Sequence, residues 1–184
     1  MQHVGSTNRR DAIKLLLLSS VALGPGAFAS QPAAKTWRQA TDAELHTLLP
    51  ARAPVGEEHI ETEMRTASGI TDGHGDFIAG VVLITTGYAA NGKYSHFFET
   101  LVPITMGAIT LAPGKYVLGW QHKEDSLGVH FYDAITEAAR GSAEARIIPG
   151  NPRVESFRLW PPQTKSLIQI GRFGIPYTIG KLTS

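Results

Sequence analysis

From residue 58 to residue 179 the chain is cut into short runs that alternate polar and apolar residues or are apolar throughout. Each run is closed by glycine, proline or asparagine, which is the patterning of strands and turns. Residues 58–66 set Ile60, Thr62 and Met64 on one side and His59, Glu61, Glu63 and Arg65 on the other. Residues 78–86 are apolar on both faces, as a central strand requires. Asn91-Gly92 readily supplies the positive φ angles of a tight hairpin leading into residues 94–101. After Pro103, residues 104–111 read as one strand. Ala112-Pro113-Gly114-Lys115 has the form of a type II turn before residues 116–123. Residues 129–133, 146–148, 154–160, 166–173 and 177–179 continue the series, with Pro161-Pro162 as a stiff extended connection. About nine strands at this spacing predict an all-β chain, an antiparallel β-sandwich or open barrel.

One helix is expected. Thr41-Asp42-Ala43-Glu44 has the Thr-x-x-Glu form of a capping box, Leu45, Leu48 and Leu49 follow at helical spacing, and Pro50 ends the run. The 184 residues contain no cysteine, which removes disulfides, thiolate nucleophiles and cysteine-bound metals. A net charge of +1 provides no field for a nucleic-acid backbone. The core must therefore carry the stability, and the dispersed aromatic residues predict a single domain over residues 41–184.

The first 29 residues read as an export signal. Arg9 and Arg10 precede an apolar stretch from Leu15 to Phe28, interrupted by Pro25 between glycines and ending in Ala27-Phe28-Ala29. The run is shorter than the roughly 20 residues of a membrane span. Asn8-Arg9-Arg10-Asp11-Ala12-Ile13-Lys14 resembles the twin-arginine signal, although Ala12 stands where a bulky residue is usual, so the Sec route is the alternative. Cleavage after Ala29 removes Arg9, Arg10, Lys14 and Asp11 and leaves a mature chain near −1. Residues 30–40 then form a flexible lead, and the expected location is periplasmic or secreted, with membrane contact only through the uncleaved signal.

Leu111-Ala112-Pro113-Gly114-Lys115-Tyr116-Val117-Leu118, with Glu44-Leu45-His46, Thr86-Gly87-Tyr88 and Phe157-Arg158-Leu159-Trp160, resembles small exported β-sandwich proteins of soil bacteria. The stretches Gly114-Lys115-Tyr116 and Val129-His130-Phe131-Tyr132-Asp133 are loosely similar to the DUF2911 group of exported domains. The resemblance implies an exported sandwich and carries no activity with it.

No nucleophile elbow, zinc-protease helix motif, P-loop or dinucleotide fingerprint is present. Gly73-His74-Gly75-Asp76 could pair an imidazole with a carboxylate, but a polar turn explains the same residues. His96, His122 and His130 fall on predicted strands. With a five-residue loop over 124–128, His122 faces His130 at about 4.5–5.5 Å between Cβ atoms, a spacing that could hold a divalent metal, with His96 as a third ligand if its strand lies adjacent. A two-residue turn at Ser126-Leu127 would instead set His130 against Lys123. Trp120, Phe131, Tyr132 and Trp160 could line a groove for an apolar or carbohydrate ligand, or fill the core. The sequence favours a non-catalytic binding or accessory protein for a small-molecule or protein ligand. A metal-dependent enzyme or metal-binding protein is the alternative, and no cofactor other than that divalent metal is expected.

Overall fold

The computed structural model describes residues 36–180, and the stretch expected to be an export signal, residues 1–29, lies outside them. The capping box forms as its spelling requires. The Glu44 amide donates to Thr41 Oγ1 at 3.3 Å, and the Glu44 carboxylate accepts from the Thr41 amide at 2.8 Å, at the start of α1 (Asp42–Leu48). Arg38 donates to both oxygens of Glu44, at 2.9 and 2.6 Å. This guanidinium, aided by the Thr41 amide, draws the Glu44 carboxyl down to about 2. The lead is thus structured from residue 36 onward. Trp37 and Ala40 are buried, and β1 (Arg38–Gln39) pairs with residues 70–71.

The remaining strands are β2 (Arg52–Val55), β3 (Glu58–Thr71), β4 (Phe77–Leu83), β5 (His96–Thr100), β6 (Ile104–Met106), β7 (Ile109–Leu111), β8 (Gly114–Lys123), β9 (Ser126–Asp133), β10 (Ala139–Ile147), β11 (Glu155–Trp160), β12 (Leu167–Gly171), β13 (Phe173–Pro176) and β14 (Thr178–Ile179). Ten strands form one antiparallel sheet in the order β1-β3-β4-β5-β8-β9-β10-β13-β12-β11, with β2 attached to β3. The small sheet β14-β6-β7 shares no ladder with it, and Ile104, Met106 and Leu111 pack into the same core as the barrel interior. The large sheet curls until β11 meets β3 and β4, which makes a nearly closed barrel without a backbone ladder at the seam. Side chains close that seam instead. The Leu159 amide donates to Ser68 Oγ at 3.0 Å, His96 Nε2 donates to the Ser156 carbonyl at 3.2 Å, and Phe157 packs where Gly80 has no side chain.

Two cores result. The barrel interior gathers Ile70, Ile78, Phe98, Leu118, Val129, Phe131, Phe157, Leu159 and Ile168. A second core lies on the outer face of β3, β4, β5 and β8, where Leu45, Leu49, Ala53, Ile60, Val81, Phe97 and Val117 pack. β3 serves both because it carries a wide bulge. Thr62 pairs with Leu83 and Glu63 with Val82, but Ser68 pairs with Gly80, so three extra residues sit on β3. An odd insertion reverses which face even-numbered residues occupy, sending Ile60 to the outer core and Ile70 into the barrel. Thr66 Oγ1 steadies the bulge by accepting from the Val82 amide at 3.0 Å and donating to the Glu63 carbonyl at 2.7 Å.

Several local expectations change. The expected strand over 104–111 is a hairpin, β6 and β7, turning at Gly107 with φ +58°. Gly114 is not left-handed and opens β8 opposite Thr100, so the type II turn does not form there. Asn91-Gly92 lies in the longer connection 84–95 and does not make a two-residue hairpin. The passage after residue 138 is a nine-residue strand, β10, of which Ala143 and Ala145 are buried. Residues 166–173 split into β12 and β13 at Gly171, φ +62°. The Pro161 carbonyl accepts from the amides of Thr164, Lys165 and Ser166, so Pro161-Pro162 opens a tight turn and is not an extended link.

Candidate functional site

The β8–β9 hairpin decides the fate of the histidines. Lys123 pairs with Ser126 across a two-residue turn, Glu124-Asp125, so neither anticipated register forms. His122 faces Leu127, and His130 faces Gly119. Alternation puts them on opposite faces of the ladder, which separates the expected metal pair. His122 shares the inner face with His96, but His96 pairs with Leu118, and four residues along a strand are roughly 13 Å. His122 packs edge-on to Phe173 with ring centroids 5.6 Å apart. Among the described residues no group of three or more histidine, aspartate or glutamate side chains is arranged to hold a metal.

His96 is enclosed. Its ring sits 5.4 Å from that of Phe157, Nε2 donates to Ser156 O, and Nδ1 lies 2.8 Å from Ser95 Oγ. A carbonyl can only accept, so the neutral ring carries its proton on Nε2. Burial pulls its pKa down to about 4.

The four aromatic candidates do not share a groove. Phe131 is fully buried, edge-on to Phe98 at 6.2 Å. Tyr132 points to the other face, with its ring 5.3 Å from that of Tyr94. Trp160 donates from Nε1 to the buried Gln169 at 3.0 Å, and its ring is met by Lys165 at 4.4 Å and Arg158 at 4.8 Å. Trp120 alone is substantially open, at 43% exposure. In the 72–76 loop, Asp72 Oδ1 accepts from the amides of His74 and Asp76, and Gly73 and Gly75 have positive φ, which is the geometry of a polar turn.

A different place brings separate polar groups together. Three connections converge on the outer core: the turn after β2, the loop 84–95, and the turn joining β9 to β10. The Gly56 amide donates to the Ala134 carbonyl at 2.7 Å, tying the first to the third. Asp133 shapes the third, with Oδ1 accepting from the amides of Ile135 and Thr136 and Oδ2 from Arg140. The Thr136 amide first, then Arg140 and the Ile135 amide, hold its carboxyl at about 2. The turn ends with Glu137 in the left-handed region, φ +54°, which a side-chain-bearing residue rarely adopts. In that conformation Glu137 Oε1 accepts from both Lys93 Nζ and Tyr94 Oη, each at 2.9 Å.

The loop 84–95 is pinned on both sides of Asn91-Gly92. Tyr88 Oη donates to Glu61, the Ala89 amide donates to Glu58 Oε1 at 3.3 Å, and Tyr94 is buried. Gly119 lets the Lys93 carbonyl approach β8 where any Cβ would collide with it. Between these connections lies a cleft of about 590 Å³ lined by Val55, Gly56, Glu58, Ala90, Lys93, Ile135 and Glu137, among others. It is larger than the clefts of about 390 Å³ beside α1 and about 480 Å³ beside Ile147.

The electrostatics of this cleft are those of fixed charges. Tyr94 and Glu137 hold the Lys93 ammonium above its ordinary range, while Lys93 and then Tyr94 hold the Glu137 carboxyl below its own. Burial pushes the Tyr94 phenol upward. All three move away from neutrality, whereas a proton-transfer group is most effective with its pKa near the working pH. None of the cleft residues stood out in the sequence. The left-handed turn at Glu137, four residues after the turn-former Asp133, leaves no distinctive pattern, and Gly56 is one glycine among nineteen. Comparison with known proteins found no family, no curated protein and no solved structure that matches this chain.

Proposed function

We propose that the chain is an exported, non-catalytic binding protein whose small-molecule site is the cleft between Gly56, Lys93 and Glu137. The observation that carries this reading is the convergence of three separate connections around a space of about 590 Å³, within the range of ligand pockets. Ile135, 56% exposed, and the alanines of the loop offer apolar contact, and the Lys93–Glu137 pair offers fixed polar partners. A ligand with an apolar body and a hydrogen-bonding group suits this lining. Groups locked in their charged forms support binding over proton transfer. Export rests on Arg9, Arg10 and the apolar stretch ending at Ala29.

A thermal-shift screen of small polar and amphiphilic molecules tests the binding site, because a ligand of the folded state raises the melting temperature. Hits should lose their effect in Ile135→Glu and Lys93→Ala. Hits unaffected by both substitutions would place the site elsewhere. Mass spectrometry of the protein recovered from its host should find Ser30 at the mature N-terminus, whereas an intact Met1 would contradict export by cleavage.

A further inference from the structure

We propose that Asn91 is a self-modification site, at which the native fold leaves the Asn91-Gly92 linkage free to form a succinimide and open to aspartate or isoaspartate. The inference is independent of whether the cleft binds a ligand. Asn91 and Gly92 are both exposed in the loop 84–95. Gly92 has φ +78°, and a Cβ placed on it would meet nothing within 4 Å, so the space beside its Cα is open. Its amide donates no hydrogen bond among the described residues, although the neighbouring Asn91 and Lys93 amides donate to the carbonyls of Tyr88 and Ala90. Among the described residues the Asn91 side chain is held only by a long contact, its Oδ1 lying 3.3 Å from Thr85 Oγ1.

The chemistry needs only water. The Gly92 nitrogen attacks Asn91 Cγ, forming a C–N bond, and the bond from Cγ to Nδ2 breaks. Nδ2 leaves as ammonia, carrying the proton that the Gly92 nitrogen gives up, and a cyclic imide remains. Water then adds to one of the two imide carbonyls. Opening one side restores the chain with aspartate, and opening the other leaves isoaspartate, with one additional backbone carbon.

The chain contains its own contrast. Asp72-Gly73 could form the same ring, but the Gly73 amide is engaged with Thr71 Oγ1 at 3.0 Å. Asp72 is buried, and its Oδ1 accepts from the amides of His74 at 2.8 Å and Asp76 at 3.1 Å. Asn151 precedes Pro152, whose nitrogen has no hydrogen to lose. Modification at Asn91 adds a carboxylate two residues before Lys93, whose carbonyl is seated on Gly119 and whose ammonium meets Glu137. It therefore acts on the wall of the cleft.

The test ages the full chain in mildly alkaline buffer, native and urea-unfolded side by side, with peptide mapping by mass spectrometry and an isoaspartate-specific assay. The native chain should lose the Asn91 amide at close to the unfolded rate, gaining one mass unit and isoaspartate at that peptide, while Asp72 isomerises only in the unfolded sample. Asn91→Gln should abolish the signal. Survival of the Asn91 amide in the native chain while the unfolded chain converts would overturn the proposal, as would isoaspartate appearing first at Asp72.

Discussion

His96 on β5 donates from Nε2 to the carbonyl oxygen of Ser156 on β11, 3.2 Å away, and so joins two strands that share no ladder. The bond lies where the barrel closes, beside Phe157 and Gly80, and it requires the ring to remain in a site where burial disfavours its charged form.

This sets a pH window for stability. The folded-state pKa of about 4 lies below the ordinary histidine value of about 6.5, so the unfolded chain takes up a proton first. The contribution is complete above about pH 6.5 and falls as the pH drops towards 4, by about 3 kcal/mol at 1.36 kcal/mol per unit. Glu44 and Asp133, whose pKa values are depressed to about 2, lose their contributions only at lower pH, as it falls from about 4 towards 2. Urea midpoints between pH 7 and 4 should decline in the wild type and be much flatter in His96→Phe.

Gly119→Ala should be destabilising by about 1–3 kcal/mol, because the new Cβ collides with the carbonyl oxygen of Lys93, a backbone atom that cannot rotate aside. Chemical denaturation measures this cost. Faster amide exchange confined to the loop 84–95 would show that the loop has lifted from β8.

The aromatic candidates separate by burial. Phe131→Ala should destabilise by about 3–5 kcal/mol, since its ring is fully enclosed by the barrel. Trp120→Ala should destabilise much less, because its indole is already open to solvent. Equal losses in the two variants would contradict the assignment of Phe131 to the core and Trp120 to the rim.

The strand periodicity and the Thr41–Glu44 box were readable because both are local: the first depends on residues two apart and the second on residues three apart. The reversal of faces along β3 was not, since the bulge is held by the Thr66 hydroxyl meeting Val82, sixteen residues away. β10 was obscured because its inward residues are Ala143 and Ala145, too small to stand out from their neighbours. The turn at Glu124-Asp125 could not be distinguished from longer loops, and a shift of one residue moves a histidine to the opposite face. The cleft was hidden for a related reason: Gly56, Lys93 and Glu137 meet only after three connections have folded over the outer core.

Within the cleft, the Lys93–Glu137 pair should contribute little to stability. Both side chains are about half exposed, 53% and 43%, and such pairs couple by no more than about 1 kcal/mol. A double-mutant cycle of Lys93→Ala and Glu137→Ala, followed by denaturation, should return a coupling of that size, while each single substitution removes the thermal shift of a bound ligand.

The most direct measurement is an amide chemical-shift titration of the protein with a molecule selected by thermal shift. Perturbations confined to residues 55–58, 89–94 and 134–138 are the predicted result. Perturbations centred on Trp120 and His122, or no saturable binding by any molecule tested, would contradict the account.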